Sequence, residues 1–285
     1  MTFLALVATE LRRFELRRAV RWMVVLGLLI VVVVNVVQLA RSEVSAASAT
    51  SEHIVQGPNG PVPVRIAHDA EDRRVRVGRT FEQTIRGLGI GLVMFGVLLG
   101  STFIAAEFGA SGLSTQLIFE PRRVRLYVAK TLAVFIGAAV SAAIIIVWAG
   151  LLQLLVSALR GSTAGVDAGW LGERATDVVR ASSACGLGAV CATAVASIAR
   201  RTVVAVGVLY GLTAGTGFLG GVTWGEPLAR VSPMNTLFGM GYGDLNDPEG
   251  FFGLRTLTGA VTISLVWVLV VSVIGAWWFE RREIR

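Results

Sequence analysis

The chain has 285 residues, of which 54% are hydrophobic and 16% charged, with a mean hydropathy of +0.69 and a formal net charge of +7. These values exclude an ordinary soluble globular domain and describe one polytopic membrane domain over residues 1–285. The basic residues punctuate the apolar stretches instead of forming one stripe, so the charge reports membrane topology and not nucleic-acid binding.

Residues 1–20 read as an amphipathic helix, with Leu4, Val7, Leu11 and Phe14 on one stripe and Glu10, Arg13 and Arg17 on another. A basic amphipathic helix beside a first span is expected in the headgroup plane, and the alternative is a cytoplasmic extension of that span. Six apolar stretches follow, at 22–39, 87–106, 128–156, 181–198, 203–223 and 256–278. Each is near the ~20 residues that cross a ~30 Å hydrocarbon slab. No cleavable leader is expected, because the first stretch is long enough to span and lacks a small-residue cleavage site at its end. No acidic residue lies inside the six stretches, and the single lysine, Lys130, stands at the start of the third. Their polar interior residues are mild ones such as Asn35, Gln38 and Gln153. The expectation is a bundle without buried charge, unlike a proton- or sodium-driven pump with ionisable groups at the bilayer midplane.

The connections carry further signals. In the first outer loop, 40–86, residues 54–64 read as two short extended pieces around an Asn59-Gly60 turn, with prolines that suit only an edge strand. The second outer loop is 157–180. In the third, 225–255, the run 227–238 is apolar but too short to cross, which fits a re-entrant or interfacial element. Gly87/Gly91 and Gly96/Gly100 are small-x-x-x-small pairs for close helix contact, and small residues crowd 181–188 in the fourth span. Cys185 and Cys191 stand six residues apart, ~9 Å along a helix, too far for a mutual disulfide, and read as packing residues. His53 and His68 have no metal-ligand spacing around them. Gly215, Gly217 and Gly220 match a dinucleotide fingerprint without the strand it requires.

Arginine and lysine placement sets the orientation. The pieces 1–21, 107–130, 198–201 and 280–285 hold 14 of the 26 basic residues, whereas the two later outer loops hold 5. The first outer loop holds the remaining 7, but a loop of that length translocates largely regardless of charge. Both termini are therefore expected in the cytoplasm. A phosphate-binding Walker A loop needs a lysine after its glycines, and Lys130, at a span's start, cannot serve.

The link 107–127 says more than membrane protein. Glu107 closes a span, a glycine turn follows, and a short helix over 111–119 carries Leu113, Leu117 and Ile118. Pro121 then breaks the chain before Arg122, Arg123 and Arg125 open the next span. The order Glu107, Gly112, Pro121, Arg123 and Lys130 resembles the linker of ABC-2 type permeases, the membrane subunits of a large class of ABC transporters. Arg122 departs from the small or hydroxyl residue usual there. The amino-terminal Glu10-Leu11-Arg12-Arg13 and the closing Phe279-Glu280-Arg281-Arg282-Glu283-Ile284 also resemble that family, so the likeness covers essentially the whole chain.

The resemblance implies an all-α fold of six transmembrane helices with an interfacial amino-terminal helix and a cytoplasmic coupling helix between the second and third. It implies a bacterial plasma-membrane protein that is not an enzyme by itself and holds no cofactor, ATP and Mg being bound by a separate ATPase. Glu107, Gly112, Leu113, Ser114, Thr115, Gln116, Leu117, Ile118, Pro121, Arg122, Arg123 and Arg125, with Arg12 and Arg13, are implied at that interface. A second permease completes the pathway, as a homodimer or heterodimer, and the direction is export of an amphipathic or lipid-like compound. Membrane lipids are the other contact, and nucleic acid is not a partner. The alternatives are an ion-coupled secondary transporter and a non-transporting scaffold. The absence of embedded carboxylates and of an evident inverted repeat speaks against the former.

Overall fold

A computed structural model describes residues 2–41, 50–57, 60–67, 75–109, 122–162, 166–220, 226–242 and 257–281. Its helices are α1 (Phe3–Leu16), α2 (Arg18–Arg41), α3 (Val77–Gly109), α4 (Arg123–Arg160) and α5 (Ala168–Ala199). They continue as α6 (Thr202–Gly220), α7 (Glu226–Arg230), α8 (Pro233–Tyr242) and α9 (Leu257–Arg281). Six of these, α2 to α6 and α9, are long and apolar enough to cross a bilayer, which makes this an all-α, six-span membrane protein.

The first helix is separate from the first span. Thr2 caps α1 by accepting the Ala5 N–H, and Arg17 is extended, at φ −66° and ψ 126°, before α2 begins. The face that α1 buries is rotated from the expected one, keeping Val7 and Phe14 but not Leu4. Leu6, Val7, Glu10 and Phe14 are buried while Leu4 is 77% exposed. The helix turns its inner side onto α3 and α4, and that rotation brings Glu10 in with Phe14.

Small residues explain the centre of the bundle. Nearly every residue of α5 from Ala181 to Ser197 is buried, because alanine, glycine, serine and cysteine let neighbouring helices close around it. A Cβ on Gly96 would stand 2.2 Å from the Cys185 carbonyl oxygen, and one on Gly100 would stand 2.0 Å from that of Ala189. Helices α3 and α5 therefore touch backbone to backbone at this glycine pair. The Gly87/Gly91 pair makes no such contact, since a Cβ on either residue would meet nothing within 4 Å. Cys185 and Cys191 are free and buried, as packing residues should be. By contrast α2, α6 and α9 ring the bundle with mostly exposed apolar faces.

The connections differ from expectation in extent. Helix α4 runs to Arg160 and α5 begins at Ala168, where the Asp167 side chain accepts the Trp170 N–H at 2.7 Å. Much of the expected loop 157–180 is thus helix, because the cap at Asp167 starts α5 well before its apolar stretch. Strands Val75–Arg76 and Gly161–Ser162 pair in parallel and join the start of α3 to the end of α4. In the 40–86 loop, Thr50–Gly57 and Gly60–Ala67 form an antiparallel hairpin whose last pair is Gly57 with Gly60. Gly60 is therefore a paired strand residue and not half of a turn. Pro61 and Pro63 fall on alternate positions of one edge, where a missing N–H costs no ladder bond.

In the segment 225–255, α8 is tucked against α3, α5 and α9, with Met234, Leu237 and Phe238 buried. Its ten residues reach only ~15 Å, too short to cross. Asn235 Nδ2 donates to the Ala229 carbonyl at 2.8 Å and Trp267 Nε1 to that of Val231 at 2.7 Å, so α7, the turn and α9 are tied together. Gly89 of α3 and Gly241 of α8 meet backbone to backbone.

The close α3–α5 contact sets a clear expectation. Gly100→Val should cost about 1–3 kcal/mol through overpacking, whereas Gly91→Ala should stay within about 0.5 kcal/mol. Thermal unfolding of the purified protein in one detergent reads both, and equal midpoints would contradict the contact.

Candidate functional site

Five pieces of chain meet at one end of the bundle: α1, the end of α3, the start of α4, the α5–α6 turn and the end of α9. Arg17 bonds to α3, Arg200 lies 5.6 Å from the Phe108 ring, Arg123 Nη1 donates to the Glu280 carbonyl at 3.3 Å, and Tyr127 packs on Phe279. The described parts of the basic stretches, 2–21, 107–109, 122–130, 198–201 and 280–281, thus share one side, the grouping that the arginine count anticipates.

A buried charge cluster holds this end together. Lys130 of α4 is wholly buried, and its Nζ lies 2.7 Å from Glu10 Oε2 and 2.6 Å from Glu107 Oε2. The contact to Glu10 has hydrogen-bond geometry, while that to Glu107 is an ion pair without such alignment. Arg17 Nη2 donates to Glu107 Oε1 at 2.8 Å and its Nη1 to the Phe103 carbonyl at 2.6 Å. Arg13 Nη1 donates to Glu10 Oε1 at 2.6 Å from a more exposed position. Each carboxylate therefore has two cationic partners, Lys130 being shared by both, so no buried charge is left unpaired. An isolated ammonium removed from water would be prohibitively costly, so Lys130 requires this arrangement.

Aromatic packing seals the cluster. Arg17 lies 4.3 Å and Lys130 5.7 Å from the Phe103 ring centroid, within cation–π range. Phe14 of α1 packs on Phe103 at 5.4 Å and fills the space left by Gly137, where a Cβ would stand 2.5 Å from its ring. Helix α1 is thus bolted by one aromatic plug and one ion cluster to both helices that flank the link 110–121.

The expectation of a bundle without buried charge is overturned. Lys130, Glu107 and Glu10 are all buried, since α1 folds back and supplies the carboxylate that an apolar helix cannot. Lys130 lies ~10 Å along α4 from its first residue, so the charges sit near one end and not at the middle.

Among the residues expected at a partner interface, Glu107 is turned inward and is only 4% exposed, with its carboxylate facing Lys130 and Arg17. Arg12 and Arg122 are exposed, Arg13 is half-exposed, and Arg123 and Arg125 are half-buried at the start of α4. Gly112, Leu113, Ser114, Thr115, Gln116, Leu117, Ile118 and Pro121 lie outside the described residues, as do 282–285 of the closing tail. Sequence reasoning missed Glu10 and Arg17 as members of the site. The available signal was Lys130 itself, a lone lysine beside an apolar run, which demands carboxylates from neighbouring segments. Among the described residues no group of histidine, cysteine and acidic side chains could hold a metal ion. Compared with protein-family models and with curated proteins, the chain matches none.

Lys130→Met leaves two buried carboxylates with only Arg13 and Arg17. It should cost about 3 kcal/mol, the low end for breaking a buried pair. The double variant Glu10→Gln/Lys130→Met should regain part of that loss. Denaturation of the three proteins in one detergent measures both effects; a single variant as stable as wild type would contradict the role given to the Lys130 ion pairs.

Proposed function

We propose that this chain is the permease subunit of an ATP-driven exporter of the ABC-2 type, forming a transmembrane pathway worked by a separate ATPase in a bacterial plasma membrane. The observation that carries the reading is the ion cluster that ties α1 to both flanks of the link 110–121. A link anchored in that way moves with the bundle, as a lever must. The order of motifs across the chain supports it too, as does the missing Walker lysine, which leaves ATP hydrolysis to a partner. Leu113, Leu117 and Ile118 supply the apolar docking contacts, and Arg12, Arg122 and Arg125 hold the surface near headgroups. The exposed apolar faces of α2, α6 and α9 are available to lipid and to a second permease. The scarcity of polar side chains in the spans favours an amphipathic or lipid-like cargo.

Buried carboxylates are the one observation that favours the ion-coupled alternative. Here, however, Glu10 and Glu107 each carry two cationic partners, and a proton- or sodium-binding carboxylate must be able to exchange its partners.

Leu117→Asp/Ile118→Asp should abolish co-purification of the partner ATPase and its stimulation by cargo, while membrane insertion is unchanged. Proteoliposomes holding the purified chain alone, with an ion gradient and no ATPase, should show no uphill transport. Gradient-driven accumulation there would overturn the reading.

A further inference from the structure

The end of the bundle that carries α1 also holds a cavity of about 1060 Å³ between the first turn of α2, the last turns of α3 and the α5–α6 turn. Arg17, Arg18, Arg200 and Arg201 line it, and among the described residues no acidic one does. Arg17 is satisfied by Glu107, whereas Arg18, Arg200 and Arg201 form no ion pair among the described residues. The rest of the wall is small or apolar, with Val20, Val203 and Val204 prominent.

Two features go beyond what membrane topology requires. Arg200 has φ 57° and ψ 9°, a left-handed helix cap where glycine is the usual occupant because a Cβ costs ~1 kcal/mol or more. Residues 200 and 201 are the whole connection between α5 and α6, so this strained turn delivers two arginines together to the cavity mouth. Thr202, Val203 and Val204 are the first residues of α6, and their N–H groups have no intrahelical acceptor. Beyond them Val204, Val208 and Leu212, spaced four apart on α6, are each 45% exposed and form an apolar track leading away from the arginines.

We propose that this cavity binds an anionic amphiphile, with a phosphate or carboxylate headgroup against Arg18, Arg200 and Arg201 and its chain along Val204, Val208 and Leu212. A basic pocket between membrane helices is the arrangement that anionic headgroups seek. Bilayer phospholipid and a soluble amphiphile share this chemistry. Binding requires no ATPase, so the site operates whatever partner the chain has.

The test uses the full chain in neutral detergent with equal amounts of phosphatidylglycerol and phosphatidylcholine of identical chains, read by native mass spectrometry. Wild type should retain phosphatidylglycerol on the order of tenfold over phosphatidylcholine. Arg18→Gln/Arg200→Gln/Arg201→Gln should bring the ratio to parity. Because Arg200 caps a helix, Arg18→Gln/Arg201→Gln is measured beside it and should lose most of the preference at an unchanged unfolding midpoint. Dodecyl phosphate should displace the lipid and inorganic phosphate should not. Binding of dodecyl phosphate without retention of phosphatidylglycerol supports the site and assigns it to a soluble amphiphile. An equal lipid ratio in wild type with no binding of dodecyl phosphate, an unchanged ratio in both variants, or displacement by inorganic phosphate would overturn the proposal.

Discussion

A lysine ammonium held away from water between two carboxylates is the constraint on which this end of the molecule depends. Lys130 enters the bundle on α4, a helix with no acidic residue, so nothing on that helix can compensate it. Glu107 arrives from α3 and Glu10 from α1, so three segments must be in register before the charge is tolerable. Arg17 completes the set at the junction where α1 ends and α2 begins. The desolvation cost that makes such a cluster a poor source of stability also makes it selective, because any partial arrangement leaves a bare charge.

The remainder of the bundle obeys a different rule. Away from the cluster, packing is carried by small residues: the Gly96/Gly100 contact with α5, the Gly89–Gly241 contact with α8, and the run of alanine, serine and cysteine through α5. Helices α3, α4 and α5 form the inner group, while α2, α6 and α9 present apolar surface outward. Rigid glycine contacts at the centre and an ionic clamp at one end suit a body that moves as a unit. The arginine-lined cavity lies beside that clamp, with Arg17 belonging to both.

Much of the fold was legible in the sequence, for identifiable reasons. The six apolar stretches are long enough that hydropathy alone separates them, and the Gly96/Gly100 spacing marked the true contact of α3. The equally spaced Gly87/Gly91 pair did not, because spacing says which residues share a face and not what stands opposite. The same limit explains α1. Its period was evident, yet whether Leu4 or Glu10 faced inward depended on Lys130, which is 120 residues away from Glu10. Lys130 signals that a carboxylate must come from elsewhere, but at that range the local sequence does not say which one. The early start of α5 was missed because its first turns are polar and hold Arg174, Asp177 and Arg180, which pair among themselves.

The most direct measurement of the clamp is a distance distribution between α1 and α4, taken by pulsed electron resonance with spin labels on the exposed residues Ala8 and Val124. In otherwise wild-type protein the expected result is a single narrow distribution, which broadens and lengthens when Lys130→Met removes the central charge. A distribution indifferent to that substitution would show that α1 is held by apolar contact alone and that the ion cluster does not couple it to the bundle.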